Sequence, residues 1–280
     1  AQVLINKVKS KCCGIKVNMN TVLDNLISLL DDGAFGSRHE IEPMTAFKWG
    51  VLYKISVIED VVPIVFKAIV AHESDKHLDM PYEIKVLFAK GTFSEKDGVS
   101  SDFDFEDLEM QNLNYIVKKY VLKDIVYKER HSIDTSKISL DFLGLILQNA
   151  NVILRHGIRL RGMIELGVFL KTKGQLVDFV KVESWIQRLK LKKMASLQAS
   201  VLTELFSFET DEFPYIKKFD KHARLLTDQS LMRTYKANKF GRSFGKYNIT
   251  NCVRFYSYSH SESLCKIMSN ISKSLSEIEE

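Results

Sequence analysis

Prolines interrupt this chain only four times in 280 residues, and glycines only thirteen times. Both residues weaken or end helices, so their scarcity leaves long segments in which helices can continue. The hydrophobic share of 45% and the charged share of 27% are typical of globular proteins and exclude disorder of the whole chain. No stretch approaches about 20 uninterrupted apolar residues, so we expect no membrane span. The chain therefore predicts a mainly α fold, a multi-helix bundle.

Apolar residues recur at helical spacing in two parts of the chain. Residues 1–80 are expected to form an N-terminal helical bundle. Its helices are predicted at 20–32 and after Pro43 and Pro63, and Gly33 stands where a C-terminal cap belongs. Residues 134–280 are expected to form a C-terminal helical domain. Its helices are predicted at 140–156, 158–173, 182–194, 195–206 and 261–278, and Gly157 and Gly174 end the first two.

The pattern changes between these two parts. Ile84–Ala89 is a short apolar run with β-branched residues, and Val121–Tyr127 is a second run of this kind. Runs of this length and composition are typical of strands. The segment between them contains a stretch rich in Gly, Ser and Asp. We therefore expect a small α/β insert over residues 81–133.

Two acidic residues in this insert are candidates for metal ligands. Asp102 and Asp104 alternate with phenylalanines, and in a strand this alternation puts both carboxylates on one face, where they can share Mg²⁺. Nine residues separate the segment Lys90-Gly91-Thr92 from Asp102. The arrangement resembles nucleotidyltransferase-fold enzymes, in which a Gly-containing turn holds the triphosphate and an Asp-x-Asp pair on the next strand binds Mg²⁺.

This resemblance implies a role for each candidate residue. Asp102 and Asp104 would bind Mg²⁺, and Glu129 or Asp124 would supply the third carboxylate. Lys90-Gly91-Thr92 would contact the phosphates of a nucleoside triphosphate. Three interpretations stay open for the acidic pair: a working metal site, a degenerate nucleotidyltransferase-like sheet, and an acidic surface loop.

A second resemblance lies in the C-terminal half. The segment from His156 to Gly167, followed by Phe169-Leu170 and by Val177-Asp178-Phe179, resembles the helical C-terminal part of a bacterial family of uncharacterised nucleotidyltransferase-like proteins. The likeness covers about residues 140–215, and Glu165 stands where those proteins often carry Asp. It implies a helical partner domain for a nucleotidyltransferase core.

Several cations lie close together in this segment. Arg155, Arg159 and Arg161, with His156, could line a phosphate site, because guanidinium groups match phosphate oxygens. The spacing of Arg161 and Glu165 instead favours an ion pair between neighbouring turns of one helix. We take Arg159 as the candidate phosphate contact.

Positive charge is concentrated in residues 216–246, which we call the basic window. It holds nine Lys or Arg residues and two Asp residues, so its net charge is +7, whereas the chain as a whole carries only +5. Aromatic residues are interleaved with the cations, a combination found where single-stranded nucleic acid is bound. The alternative is a solvated face with aromatics packed beneath it. The candidate contacts to nucleic acid or to an acidic partner are Tyr235, Lys236, Lys239, Phe240 and Arg242.

The remaining motifs mainly exclude functions. The four cysteines form no Cys-x-x-Cys pair, which argues against structural zinc and favours reduced thiols in a cytoplasmic protein. His72 and His77 do not have the zinc-protease spacing, and the chain has no Walker loop and no Gly-x-Ser-x-Gly elbow. Two hypotheses remain: a nucleotidyltransferase-like protein that uses Mg²⁺, and a non-catalytic helical protein that binds through the basic window. The sequence does not decide whether the protein is an enzyme.

Overall fold

The structure is a computed structural model that describes residues 19–73, 79–94, 116–240 and 250–276. The chain divides into two compact units, Ala1–Gly98 and Val99–Glu280. The helices of unit 1 are α1 Met19–Phe35, α2 Ala46–Ile58, α3 Val62–Ala71 and α4 Tyr82–Ser94. The helices of unit 2 are α5 Ile116–Arg130, α6 Lys137–His156, α7 Leu160–Lys173, α8 Phe179–Arg188, α9 Lys192–Leu205, α10 Ala223–Phe240 and α11 His260–Ser276. Unit 2 also has 3-10 turns at Gly174–Leu176, Thr210–Glu212 and Tyr256–Tyr258, and residues 250–254 are helical.

The expected mainly α fold is confirmed, but the expected strand at Ile84–Ala89 is wrong. This stretch lies inside helix α4, and the described residues contain no strand. The carbonyl of Pro81 accepts hydrogen bonds from the backbone N–H groups of Ile84 and Lys85, which starts the helix. Phe88 is fully buried with its ring edge-on to Tyr53. A short apolar run fits a helix or a strand equally well, and packing decided between them.

The second expected strand, Val121–Tyr127, is also wrong, because these residues lie in helix α5. Its buried apolar side chains are Leu122, Ile125 and Val126, which have helical spacing, whereas Tyr120 and Tyr127 are exposed. A strand would bury alternate residues instead. Both segments of the expected α/β insert that the structure describes are therefore helical.

A buried carboxylate ties unit 1 together at the end of α1. Asp32 accepts hydrogen bonds from the His39 backbone N–H and contacts His39 Nδ1 at 2.6 Å through Oδ1. Its second oxygen, Oδ2, lies 2.7 Å from Nε2 of His72, the residue that caps the C-terminal end of α3. The neighbouring Asp31 lies 3.4 Å from His39 Nε2. Because this single side chain joins α1, the following loop and α3, we assign it a structural role.

Gly33 does not end α1 as the sequence suggested. The helix continues to Phe35, and a Cβ atom on Gly33 would lie 2.2 Å from the backbone oxygen of Ile64 in α3. Gly33 is therefore needed for the close approach of two helices. The residue with a left-handed backbone is Gly36, with φ of 77°.

Helix α6 is the central helix of unit 2, and its apolar side chains are buried along most of its length. Phe142 packs against the rings of Phe169 and Tyr215, with ring centroids 5.7 and 5.6 Å apart. Among the described helices, only α6 is long and apolar enough to cross a membrane, and 67% of that stretch is buried inside the protein. Packing within unit 2 therefore accounts for the apolar character of α6.

Helix α11 turns polar residues inward and apolar residues outward. Glu262 and Ser263 are buried, whereas Leu264 and Met268 are 51% and 62% exposed. The helix itself agrees with the predicted segment 261–278 to within two residues at each end. The buried Glu262 on its inward face pairs with Lys118 of α5.

We expect Asp32→Asn to lower the free energy of unfolding of unit 1 by about 3 kcal/mol, because it removes the carboxylate that joins the imidazoles of His39 and His72. Urea unfolding followed by Trp49 fluorescence, in a Trp185→Phe background, measures this change. Trp49 is buried in unit 1, and the chain has only two tryptophans. The exposed neighbour Glu40→Gln is the control, and an equal loss in both variants would contradict a special role for Asp32.

Candidate anion-binding site

The sharp turn between α6 and α7 is built on two glycines. Gly157 ends α6 with φ of 82°, and a Cβ atom there would lie 3.0 Å from Ser230 Oγ in α10. Gly162 lies in the first turn of α7, where a Cβ atom would lie 2.1 Å from Asn149 Oδ1. Asn149 in turn donates a hydrogen bond of 2.9 Å to the Gly162 carbonyl. The turn therefore fixes the end of α6 against the start of α7.

This turn brings cations together, and we call Arg155, His156, Arg159 and Lys266 the cationic corner. Burial and the positive charges of Arg159, Arg155 and Lys266 lower the pKa of His156. Arg155 and His156 end α6, Arg159 precedes α7 as its N-cap, and Lys266 comes from α11. Three separate segments thus bring cations near enough to this imidazole to lower its pKa.

Lys266 reaches the corner because α11 is anchored one helical turn earlier. Glu262 Oε1 lies 3.8 Å from the Nζ of Lys118 in α5, and both side chains are buried. Lys118 also donates a hydrogen bond of 3.3 Å to Ser259, the residue that precedes α11. Burial lowers the pKa of Lys118 and the nearby Glu262 opposes that shift. This pair positions Lys266, which the sequence did not single out.

Helix α10 carries two further cations, which lie beyond its contact with the corner. Its Ser230 lies against Gly157, and Arg233 and Lys236 follow at about 4.5 and 9 Å along the helix axis. Both side chains are exposed, and they form no ion pair with the described residues. Elsewhere in the basic window, Lys217 lies 3.4 Å from Glu183 and Arg224 lies 3.2 Å from Asp228.

Of the other residues expected to contact nucleic acid, the structure describes the side chain of Tyr235 only. Tyr235 is half-buried, and burial raises its pKa, so only part of its ring is available for stacking. Lys239 and Phe240 end α10, but their side chains, like the whole of Arg242, lie outside the described part of the chain. Their contacts with nucleic acid stay a prediction.

The arginines of the turn have two different roles. Arg161 Nε lies 2.8 Å from Glu165 Oε1, which confirms the expected ion pair within α7. Arg155 is held at the corner, where Asn251 donates a 3.2 Å hydrogen bond to its carbonyl. The Arg155 Nε atom is buried and has no hydrogen-bond partner among the described residues. A buried guanidinium N–H without a partner is costly unless a ligand accepts from it.

The candidate triphosphate-binding turn is not a turn in the structure. Lys90-Gly91-Thr92 lies inside α4, where the Thr92 hydroxyl donates to the Phe88 carbonyl at 2.9 Å. A Cβ atom on Gly91 would lie 2.8 Å from Val62, so the glycine allows α4 to pack against α3. Phosphate contact by the exposed Lys90 stays a prediction.

Of the four carboxylates considered for the metal site, the structure describes Glu129 and Asp124. Asp102 and Asp104 lie outside the described residues. Glu129 is buried, accepts a 2.8 Å hydrogen bond from Lys181 Nζ in α8, and accepts another of 2.8 Å from the Ser136 backbone N–H. Asp124 pairs with Lys128 at 3.0 Å and also with Arg188. No group of three or more His, Cys, Asp or Glu residues in the described part of the chain can hold a metal ion, and Mg²⁺ binding stays a prediction.

Comparison with known proteins gives no match: no family model, no curated protein and no solved structure matches this chain. The resemblance to nucleotidyltransferase-like proteins therefore also stays a prediction.

We expect Glu129 and Lys181 to be coupled in stability. Each substitution, Glu129→Gln and Lys181→Met, should lower the free energy of unfolding of unit 2 by about 1–2 kcal/mol, because each leaves a partly buried charge without its partner. A double-mutant cycle followed by Trp185 fluorescence in α8 measures the coupling, with the tryptophan of unit 1 replaced. Additive losses would contradict the ion pair.

We also expect the stability of unit 2 to depend on His156. Because its pKa is lower in the folded state, the unfolded state binds the extra proton first as the pH falls below about 6.5. Stability contributed by neutral His156 is therefore present above pH 6.5 and is lost as the pH falls toward the lowered pKa. The charged and titratable groups around it are Arg155, Arg159 and Lys266, and the Cys252 thiol lies near Lys266 and Arg155.

Urea unfolding between pH 5 and 7.5 measures this dependence, and His156→Gln should flatten it. The control is His222→Gln, because that imidazole is exposed and lies beside Asp220. An unchanged pH dependence in His156→Gln would contradict the cationic surroundings of His156.

Proposed function

We propose that unit 2 binds the phosphate backbone of nucleic acid through the cationic corner and the exposed cations of α10. The convergence of Arg159, Arg155 and Lys266 on His156 supports this proposal most directly. Arg233 and Lys236 extend the charge in a row along the next helix. A backbone of repeated phosphates carries the complementary charge in a complementary arrangement.

The packing of unit 2 does not by itself explain why these cations lie close together. Like charges held close together destabilise the folded state, and burial together with these cations lowers the pKa of His156. Elsewhere in unit 2, Lys181 is paired with Glu129 and Arg161 is paired with Glu165. An external polyanion would relieve the repulsion at the corner and release counterions from its own backbone.

Nucleic acid fits this surface better than an acidic protein does. Arg155 and Arg159 offer planar groups of donors that match phosphate oxygens, and Arg233 and Lys236 are about 4.5 Å apart along the helix axis. Each strand of a duplex carries one phosphate per 3.4 Å or so of helix axis, which makes a regular series of negative charges. Carboxylates of an acidic protein have no such fixed repeat.

We further propose that the protein acts in the cytoplasm, because the described cysteines, Cys252 and Cys265, are free thiols. Nucleotidyl transfer is compatible with a nucleic-acid-binding unit and would depend on Asp102 and Asp104. We do not assign a reaction to the described residues.

Binding to a fluorescent, unstructured oligonucleotide should weaken steeply as salt is raised. If about four phosphates are contacted, the slope of log K against log salt is about −3, from about 0.7 per contact. Arg233→Ala with Lys236→Ala should flatten the slope by about 1.4, because two contacts are lost. Fluorescence anisotropy over a salt series measures both values.

The matched control removes two exposed lysines elsewhere in unit 2, Lys123 and Lys137. Lys137 begins α6 and is about 28 Å along that helix from His156. This control should leave the slope unchanged. Absence of binding at low salt would reject the proposal, and equal binding of poly-glutamate of the same charge would indicate an acidic protein partner instead.

A further inference from the structure

Helix α11 is oriented in the opposite way to an ordinary surface helix, which buries its apolar residues and exposes its polar ones. Glu262 and Ser263 are buried, whereas Leu264 and Met268 are 51% and 62% exposed. The two exposed residues are four apart in the sequence, so they lie on one face of the helix, one turn apart. The apolar side of α11 is therefore turned away from the core of unit 2.

Buried polar contacts fix this orientation. The Nζ of Lys118 in α5 lies 3.8 Å from Glu262 Oε1 and donates a 3.3 Å hydrogen bond to the hydroxyl of Ser259. Turning α11 to bury its apolar residues would break this buried ion pair, which is strongly destabilising. The orientation also leaves the buried hydroxyl of Ser263 without a hydrogen-bond partner among the described residues, which is unfavourable. A contact on the opposite side of α11 would compensate for this cost.

The exposed apolar residues form a row along this side of the helix. Tyr256 is 42% exposed, and its ring lies edge-on to His260, 4.7 Å away and one turn before Leu264. The row continues through Met268, and the sequence has a further apolar residue, Ile271, at the next helical position. We call Tyr256, Leu264 and Met268 the outward face of α11. Neighbouring exposed apolar residues of this kind mark contact sites.

One segment of the chain is suited to cover the outward face. Residues 102–113, which lie outside the described part of the chain, combine five acidic residues with five large apolar ones: Phe103, Phe105, Leu108, Met110 and Leu113. The described chain resumes at Ile116, two residues before Lys118, whose side chain contacts α11. Leu113 is five residues before Lys118, a span of at most about 18 Å. This short connection keeps the segment near α11 at an effective concentration of about millimolar.

A second copy of the chain fits the outward face less well. A stable dimer buries about 800 Å² on each partner, more than three partly exposed side chains provide. A contact within one chain needs less area, because the connection already removes much of the entropy cost of association. We propose that residues 102–113 bind the outward face of α11 through their apolar side chains. This inference does not depend on the proposed nucleic-acid binding of unit 2.

Hydrogen exchange of the full chain, followed by mass spectrometry, tests this contact. The amides of residues 103–113 should be protected from exchange in the parent protein. Leu264→Ser with Met268→Ser should accelerate their exchange about tenfold, because the apolar contacts that hold the segment are lost. Phe105→Ser with Leu108→Ser, on the segment itself, should have the same effect, and combining the two pairs should add little.

The matched control removes two exposed apolar side chains elsewhere in unit 2. Leu176 and Val180 are 63% and 81% exposed, and Leu176→Ser with Val180→Ser should leave the exchange of residues 103–113 unchanged. Circular dichroism and urea unfolding identify any variant that does not fold. The pair on the segment keeps the test decisive if the pair on α11 fails to fold.

The concentration dependence of exchange distinguishes the occupants of the outward face. Protection that is independent of protein concentration and is lost in both variant pairs would support the contact within one chain. Protection that rises with protein concentration would overturn the inference and indicate a second copy. Amides of residues 103–113 that are unprotected in the parent protein, or whose protection survives both variant pairs, would also overturn it.

Discussion

The sharp turn at Gly157 brings the charged end of α6 next to the start of α7. Helix α6 is buried along most of its length, so its direction is fixed by its neighbours, and the chain must reverse where α6 ends. With φ of 82° and Ser230 close by, the position tolerates little besides glycine. The reversal places Arg155 and His156 on one side and Arg159 on the other, within five residues. The cationic corner is therefore a consequence of how the core helix ends.

Local sequence predicted the features that depend on local contacts. The ends of α6 and α7 at Gly157 and Gly174 were predicted because glycine favours helix termini. The Arg161–Glu165 pair was predicted because residues four apart meet on one helix face. Arg155, His156 and Arg159 are neighbours in the chain, so the sequence alone identifies them as candidates.

Contacts between distant segments could not be predicted in this way. Lys266 joins the corner from 110 residues away, because Lys118 and Glu262 anchor α11. The sequence predicts a helix cap at Gly33, whereas in the structure this glycine allows α1 and α3 to approach each other closely. The segments at 84–89 and 121–127 were assigned to strands because a short apolar run does not reveal which face will be buried. In each case the deciding information is tertiary packing.

Two ionic clusters of this protein contain both signs of charge and hold helices together. Asp32 stands between His39 and His72, and Glu129 accepts from Lys181, so each of these clusters contains both signs and stabilises the fold as it stands. At the corner, burial and then the positive charges of Arg159, Arg155 and Lys266 lower the pKa of His156. The neutral form of His156 is therefore favoured, and it adds no further positive charge beside these three cations.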